Sequence, residues 1–252
     1  MGMTHDPQRR LFIREFGGAA LAIAVLGPLG ACATSTRQTT LSSVTNPPAN
    51  AETSVERVNL GNVSAYLIVR GTEVALVDTG LSRSAGDIES ALSTVGLGWD
   101  HVGHIILTHR HGDHTGSLGA AMELAIEAVA YAGDADIRSI ASPRRLTPLL
   151  DGDSIFGLDI LHTPGHTTGH ISVHDPQGRT LIAGDSLNGS GSGMETVQGV
   201  GGPNPRYTPD MAEGVASAEK MALLAFDTLY FGHGEPVLSG ADQALRAYLA
   251  TL

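Results

Sequence analysis

Within six positions, His109-Arg110-His111-Gly112-Asp113-His114 carries three imidazoles and a carboxylate. The apolar run Ile105-Ile106-Leu107 leads directly into it, which puts the cluster at the end of a buried strand. Imidazole nitrogen and carboxylate oxygen together suit a divalent transition metal, zinc by default, with iron and manganese also compatible. Side chains alternate along an extended segment, so His109 and His111 are expected to leave on one side. A tight turn at Gly112 would then aim Asp113 and His114 at a second position close by. The competing reading is a solvated loop that happens to be rich in histidine and aspartate.

Three donors further along favour the metal. Thr163-Pro164-Gly165-His166 sets a histidine on a Pro-Gly turn just after a strand. Ala183-Gly184-Asp185 ends a strand with an acid, and Phe231-Gly232-His233-Gly234 ends another with a histidine between glycines. One edge of a pair of packed sheets can gather residues from strand ends in this way.

The elements that must position these donors follow from periodicity. Short apolar runs predict strands over 58–60, 65–69, 74–78, 104–107 and 128–131, then 158–162, 171–174, 180–183 and 228–231. Helical spacing predicts helices over 82–95 with Ser82 as N-cap, 116–126, 135–140, 209–224 and 241–249. The segment around 143–148 reads as an irregular connection. Residues 187–209, with six glycines and three prolines, read as a long loop. Two strand-rich halves, each followed by helices, predict an α/β fold of two sheets packed face to face with helices outside.

Taken together, the His-x-His-x-Asp-His signature and His166, Asp185 and His233 in that order resemble the metallo-β-lactamase superfamily over roughly 55–237. The resemblance implies a four-layered αβ/βα sandwich and a site for two divalent ions. His109, His111 and His166 would hold one ion, Asp113, His114 and His233 the other, and Asp185 would bridge them. Asp78, in Val77-Asp78-Thr79-Gly80, matches a family position that supports the site from behind a ligand histidine. The implied reaction is hydrolysis of an ester, lactone, thioester or amide-type bond by a metal-bridged hydroxide, with Asp113 orienting the nucleophile and carrying its proton. Asp185 stands where the first two β-lactamase subclasses have a cysteine. Asp185-Ser186-Leu187 and Asn204-Pro205-Arg206-Tyr207 resemble stretches of the third subclass, so a β-lactamase of that type is one alternative. A non-hydrolytic metal-binding or di-iron redox lipoprotein is another.

Outside the ligand set, Tyr207 could donate to a developing oxyanion, Arg206 could take a substrate carboxylate, and Asn188 falls where lactonases carry a tyrosine. His162, His170 and His174 read as strand or supporting residues, and His101 and His104 as packing.

The chain has 252 residues, a net charge of −11 and a single lysine, Lys220. An acidic chain without a basic patch excludes nucleic acid as the expected partner and leaves a small-molecule substrate. With aromatics at only 4%, the core must be built from Ala, Val, Leu and Ile. Residues 1–31 read as an export signal, because Arg9-Arg10 precedes a short uncharged apolar stretch from Gly17 to Ala31. The paired arginines resemble a twin-arginine signal. Leu29-Gly30-Ala31-Cys32 resembles a lipobox, which implies lipidation of Cys32 and a cell-envelope lipoprotein whose membrane contact is that anchor. Residues 32–54 read as a flexible tether and 55–252 as the hydrolase domain. One cysteine allows no internal disulfide.

Overall fold

The computed structural model describes residues 53–252. The expected export signal, Cys32 and nearly all of the expected tether lie outside the described residues. Among those described, no helix is long and apolar enough to cross a membrane.

The first sheet contains β1 (Thr53–Asn59), β2 (Ser64–Arg70), β3 (Glu73–Val77), β4 (Val102–Leu107), β5 (Val129–Gly133) and β6 (Thr147–Leu149), in that order. Its first three strands run antiparallel, and β3 to β6 run parallel. Helices α1 (Ala85–Thr94), α2 (Gly112–Thr115) and α3 (Leu118–Leu124) fall between these strands. The second sheet is built from β7 (Ser154–Ile155), β8 (Leu158–His162), β9 (Ile171–Asp175) and β10 (Thr180–Ile182). A small pair, β11 (Asn188–Gly189) and β12 (Val200–Gly201), precedes α4 (Met211–Met221). Strand β13 (Thr228–Tyr230) then pairs in parallel with β10, and α5 (Ala241–Leu249) follows.

Alternation along β2 shows why the layers number four. Ala65, Leu67 and Val69 face one apolar cluster with Ile88 and Leu92 of α1, and Leu118 and Ala121 from α3. Tyr66 and Ile68 face the opposite way, into a cluster with Ile160, Val173 and Ile182 of the second sheet. A third cluster joins Leu181 and Leu229 to Ala218 and Met221 of α4 and Leu245 of α5. Both faces of the sheets are therefore covered, giving an αβ/βα sandwich, and β2 is buried throughout, with an apolar run from Ala65 to Val69, because it has no solvent face. Arg70, at the end of β2, spans the sheet interface to Asp175 at 2.8 Å, with both side chains almost fully buried.

Several elements differ from expectation. Strand β1 begins at Thr53, because its half-exposed residues pair with β2 from Thr53↔Arg70 onward, where a tether was expected. Helix α1 starts at Ala85, with Ser84 rather than Ser82 at its N-cap position. The helix expected over 116–126 shortens to α3, Leu118–Leu124, and the one over 135–140 is a single 3₁₀ turn, Ile137–Ser139. The end of the supposed irregular connection, Thr147 and Pro148, belongs to β6, and the long loop contains the β11–β12 pair.

Candidate metal centre

All seven donors converge on one edge of the sandwich. β4 runs out into His109 and His111, α2 carries Asp113 and His114, and the segment after β8 carries His166. Asp185 sits on a 3₁₀ turn after β10, and His233 lies just beyond β13. Between His109 and His111, Arg110 points elsewhere and bonds Asp136, so alternation does place the two rings together. Their facing nitrogens, His109 Nε2 and His111 Nδ1, are 3.0 Å apart, and His166 Nε2 lies 2.9 Å from His111 Nδ1. The predicted turn at Gly112 is a helical turn that rotates Asp113 and His114 toward a second position. There His233 Nε2 lies 3.3 Å and His114 Nε2 3.8 Å from Asp113 Oδ2.

Asp185 stands between the two triads. Its Oδ2 is 3.4 Å from His166 Nε2 and 3.3 Å from His233 Nε2, while Oδ1 is 3.3 Å from His114 Nε2. A Cβ on Gly232 would lie 2.0 Å from Asp185 Oδ1, so only glycine lets the β13 end pass this close. Among the described residues, His109/His111/His166, His109/His114/Asp185 and Asp113/His114/His233 each bring one donor atom apiece within 4.8 Å of one another.

The donor set fits divalent ions on its own chemistry. His114 Nε2 and Asp185 Oδ1 are buried with no hydrogen-bond partner, a costly arrangement for groups that have no other role. Behind the donors, three of the outer nitrogens are anchored. His114 Nδ1 meets Asp78 Oδ2 at 2.7 Å, and His233 Nδ1 meets the Asn62 carbonyl. Thr108 Oγ1 donates to Asp78 Oδ2 at 2.7 Å and lies 3.1 Å from His109 Nδ1. Asp78 holds a left-handed φ of 61°, strain located where β3 gives way to the site.

Crowding the donors together separates their protonation. Burial, with the charge of His114, pushes His109 well below the ordinary histidine range. Burial also lowers His166, to about 4. For His233, burial is outweighed by the bonds to Asp113 and Asp185, which raise it to about 10. His114 is likewise buried, yet the charges of Asp185 and Asp78 hold it well above its usual value. Burial would raise Asp185, but positive His114 and the bond from His233 keep its carboxyl well below the usual range.

The remaining candidates separate. Arg206, Tyr207 and Asn188 all line the cavity above the donors, about 730 Å³ in volume. Tyr207 is exposed at its rim, with the Arg206 guanidinium 5.4 Å from its ring centre. Asn188 is buried and donates its amide to the Gly202 carbonyl, which ties it to the loop. His162 bonds the Thr168 carbonyl and His174 faces Asp159, so neither joins the donors. His170 is more important than its place in the sequence indicates. Its Nε2 accepts from the Asp185 backbone N–H at 3.1 Å, and its Nδ1 meets Thr163 and Ser186 hydroxyls. Asp136 escaped sequence reasoning altogether, since nothing in its neighbourhood marks it.

A model of the metallo-β-lactamase superfamily matches residues 58–233. The chain belongs to that superfamily. It is 30% identical to the uncharacterized protein YobT of Bacillus subtilis (strain 168) over 209 residues, 73% of this chain and 88% of that one. It is 34% identical to a hydroxyacylglutathione hydrolase of Rhizobium johnstonii over 154 residues, 59% of this chain. Here the chain spans only about half (54%) of the relative's length. A solved metallo-β-lactamase family protein from Thermus thermophilus superimposes with a TM-score of 0.60 at 27% identity, covering 78% of each chain. Metallo-hydrolases recur among the relatives. This superfamily member is a metal-dependent hydrolase of the same fold.

Proposed function

We propose that this protein is a two-zinc hydrolase acting on a small ester, lactone, thioester or amide-type substrate that carries an anionic group. The observation that carries the reading is Asp185 lying between two complete triads of donors in one cavity. His109, His111 and His166 would hold one ion and Asp113, His114 and His233 the other, with Asp185 shared. Two such ions, when bound, supply Lewis acidity and make hydroxide accessible at neutral pH.

The chain's own residues do the rest. The bond from His233, outweighing burial, holds the Asp113 carboxyl below its usual range, so it is ionised at neutral pH and able to accept a proton from the attacking water. Half-exposed on the cavity side, it can return that proton to the leaving group. Tyr207 at the rim is placed to donate a hydrogen bond to the acyl portion. Arg206 lines the same cavity and makes no ion pair among the described residues, although the chain is strongly acidic. A cation left unpaired there favours a substrate carboxylate.

The test is a hydrolysis panel of β-lactams, lactones, aryl esters, S-acylglutathione thioesters and phosphodiesters, run on the zinc-loaded enzyme, with carboxylate-bearing substrates paired with neutral analogues. Turnover of an acyl substrate, with Arg206→Ala costing about tenfold in kcat/KM for the anionic member alone, supports the reading. No acyl hydrolysis across the panel sinks it.

We further propose that residues 1–31 direct export and that Cys32 is lipidated, with the hydrolase domain following a tether. The basic start, the short apolar middle and the small residues before Cys32 support this. Cys32→Ala should release the protein from the membrane fraction, and retention there would contradict it.

A further inference from the structure

Two of the five histidine donors lack the support the other three have. His114, His233 and His109 each have an outer nitrogen within 3.1 Å of a carboxylate, a carbonyl or a hydroxyl. His166 Nδ1 reaches only Thr208 Oγ1 at 3.5 Å, and the outer nitrogen of His111 has no partner among the described residues. Both belong to the first triad. What aims them must act through the backbone that carries them.

Asp136 is the group in position to do this. It is fully buried at the N-terminal end of the 3₁₀ turn after β5, where an aspartate ordinarily caps its own turn. Its carboxylate makes no cap bond and instead accepts four bonds from two other segments. Oδ2 accepts from the Arg110 backbone N–H at 3.0 Å and from Thr167 Oγ1 at 2.6 Å. Oδ1 accepts from Arg110 Nη1 at 2.6 Å and from the Gly169 backbone N–H at 3.0 Å. Arg110 lies between His109 and His111, and Thr167 directly follows His166. The segments are pressed together as well, since a Cβ on Gly169 would fall 2.3 Å from the Asp136 nitrogen, and one on Gly133 would fall 2.0 Å from the Gly169 oxygen.

We propose that Asp136 is the positioning residue of the first metal triad, fixing the His109–His111 segment against the His166 turn while leaving the second triad to Asp78. The inference rests on the two-ion reading. It makes the two sites separable, because Asp136 bonds none of Asp113, His114 and His233, and Asp78 directly bonds His114.

The test is Asp136→Asn, read by cadmium NMR of the metal-free protein titrated with cadmium. Loss of one resonance in His166→Ala and of the other in His233→Ala assigns the sites. An asparagine whose oxygen keeps Arg110 Nη1 and Gly169 turns its amide toward the Arg110 backbone N–H, donor against donor, and releases that segment. The first-site resonance should then need about 10–100-fold more cadmium, as for other partners that orient metal ligands, while the second stays within about twofold. Unchanged titration of both sites, or equal weakening of both in a chain with a cooperative thermal transition, overturns the proposal. A wild-type protein with a single resonance overturns the two-ion reading instead. Should Asp136→Asn fail to fold, Thr167→Val removes one donor of four and carries the same two outcomes.

Discussion

Asp78→Asn changes one atom of the site's support and has a consequence that can be worked out bond by bond. Asp78 is buried; its Oδ1 accepts from the Thr108 backbone N–H at 2.8 Å, and its Oδ2 from Thr108 Oγ1 and His114 Nδ1, each at 2.7 Å. The backbone N–H needs an acceptor, since leaving it unpaired costs about 1–3 kcal/mol, so asparagine keeps its oxygen there. Its amide then faces Thr108 Oγ1 and His114 Nδ1. The hydroxyl can accept from both the amide and His109, because it has two lone pairs. The imidazole can accept only by moving its proton to Nε2, the nitrogen that faces Asp185 Oδ1 at 3.3 Å and that an ion would need. Second-site affinity should fall about 10–100-fold, which is about 1.4–2.7 kcal/mol, with the fold retained. Stepwise metal titration against a competing chelator reads this directly. Asp78→Asn holding both ions as tightly as the wild type would refute the tautomer argument.

Metal loading should release protons. At pH 7 the metal-free chain carries a proton on His233, raised to about 10, and on His114, also raised, and an ion must displace both. Affinity therefore rises with pH; calorimetric titrations in buffers of different ionisation enthalpy would show the release, and identical apparent enthalpies would contradict it. The same shift sets a sign for metal-free stability. Having a folded pKa above its unfolded value of about 6.5, His233 stabilises fully below that pH and loses its contribution as pH rises through about 10. A metal-free melting temperature that is flat over this window would count against it. Arg70→Met should strand buried Asp175, whose Oδ1 also accepts from the Gln177 and Gly178 backbone N–H groups. The expected cost is about 3–5 kcal/mol, or roughly 6–20 °C in melting temperature, and a change under about 2 °C would show that the pair is replaceable.

Much of this was legible in the sequence because strand ends and donors coincide. The Ile105-Ile106-Leu107 run leading into His109, and glycines beside Asp185 and His233, locate the candidate donors without any long-range information. Asp78 was legible only through family resemblance, since nothing in its own surroundings in the chain says that it reaches His114 across 36 positions. Asp136 was not legible as a support, and His170 was legible only as one of three histidines read as strand or supporting residues. Each works through backbone N–H groups of distant segments, and such partners leave no spacing pattern. Boundaries failed where packing overrode propensity. Polar β1 extends to Thr53 because β2 offers it a complete pairing register, and the Gly-rich loop folds back on itself where Asn188↔Gly201 can pair.

The central claim is that two ions share Asp185. Anomalous diffraction at the zinc edge, from crystals of protein never exposed to chelator, tests it most directly. Two peaks are expected, one among His109, His111 and His166 and the other among Asp113, His114 and His233, with Asp185 between them. A single peak, or none, would contradict the account.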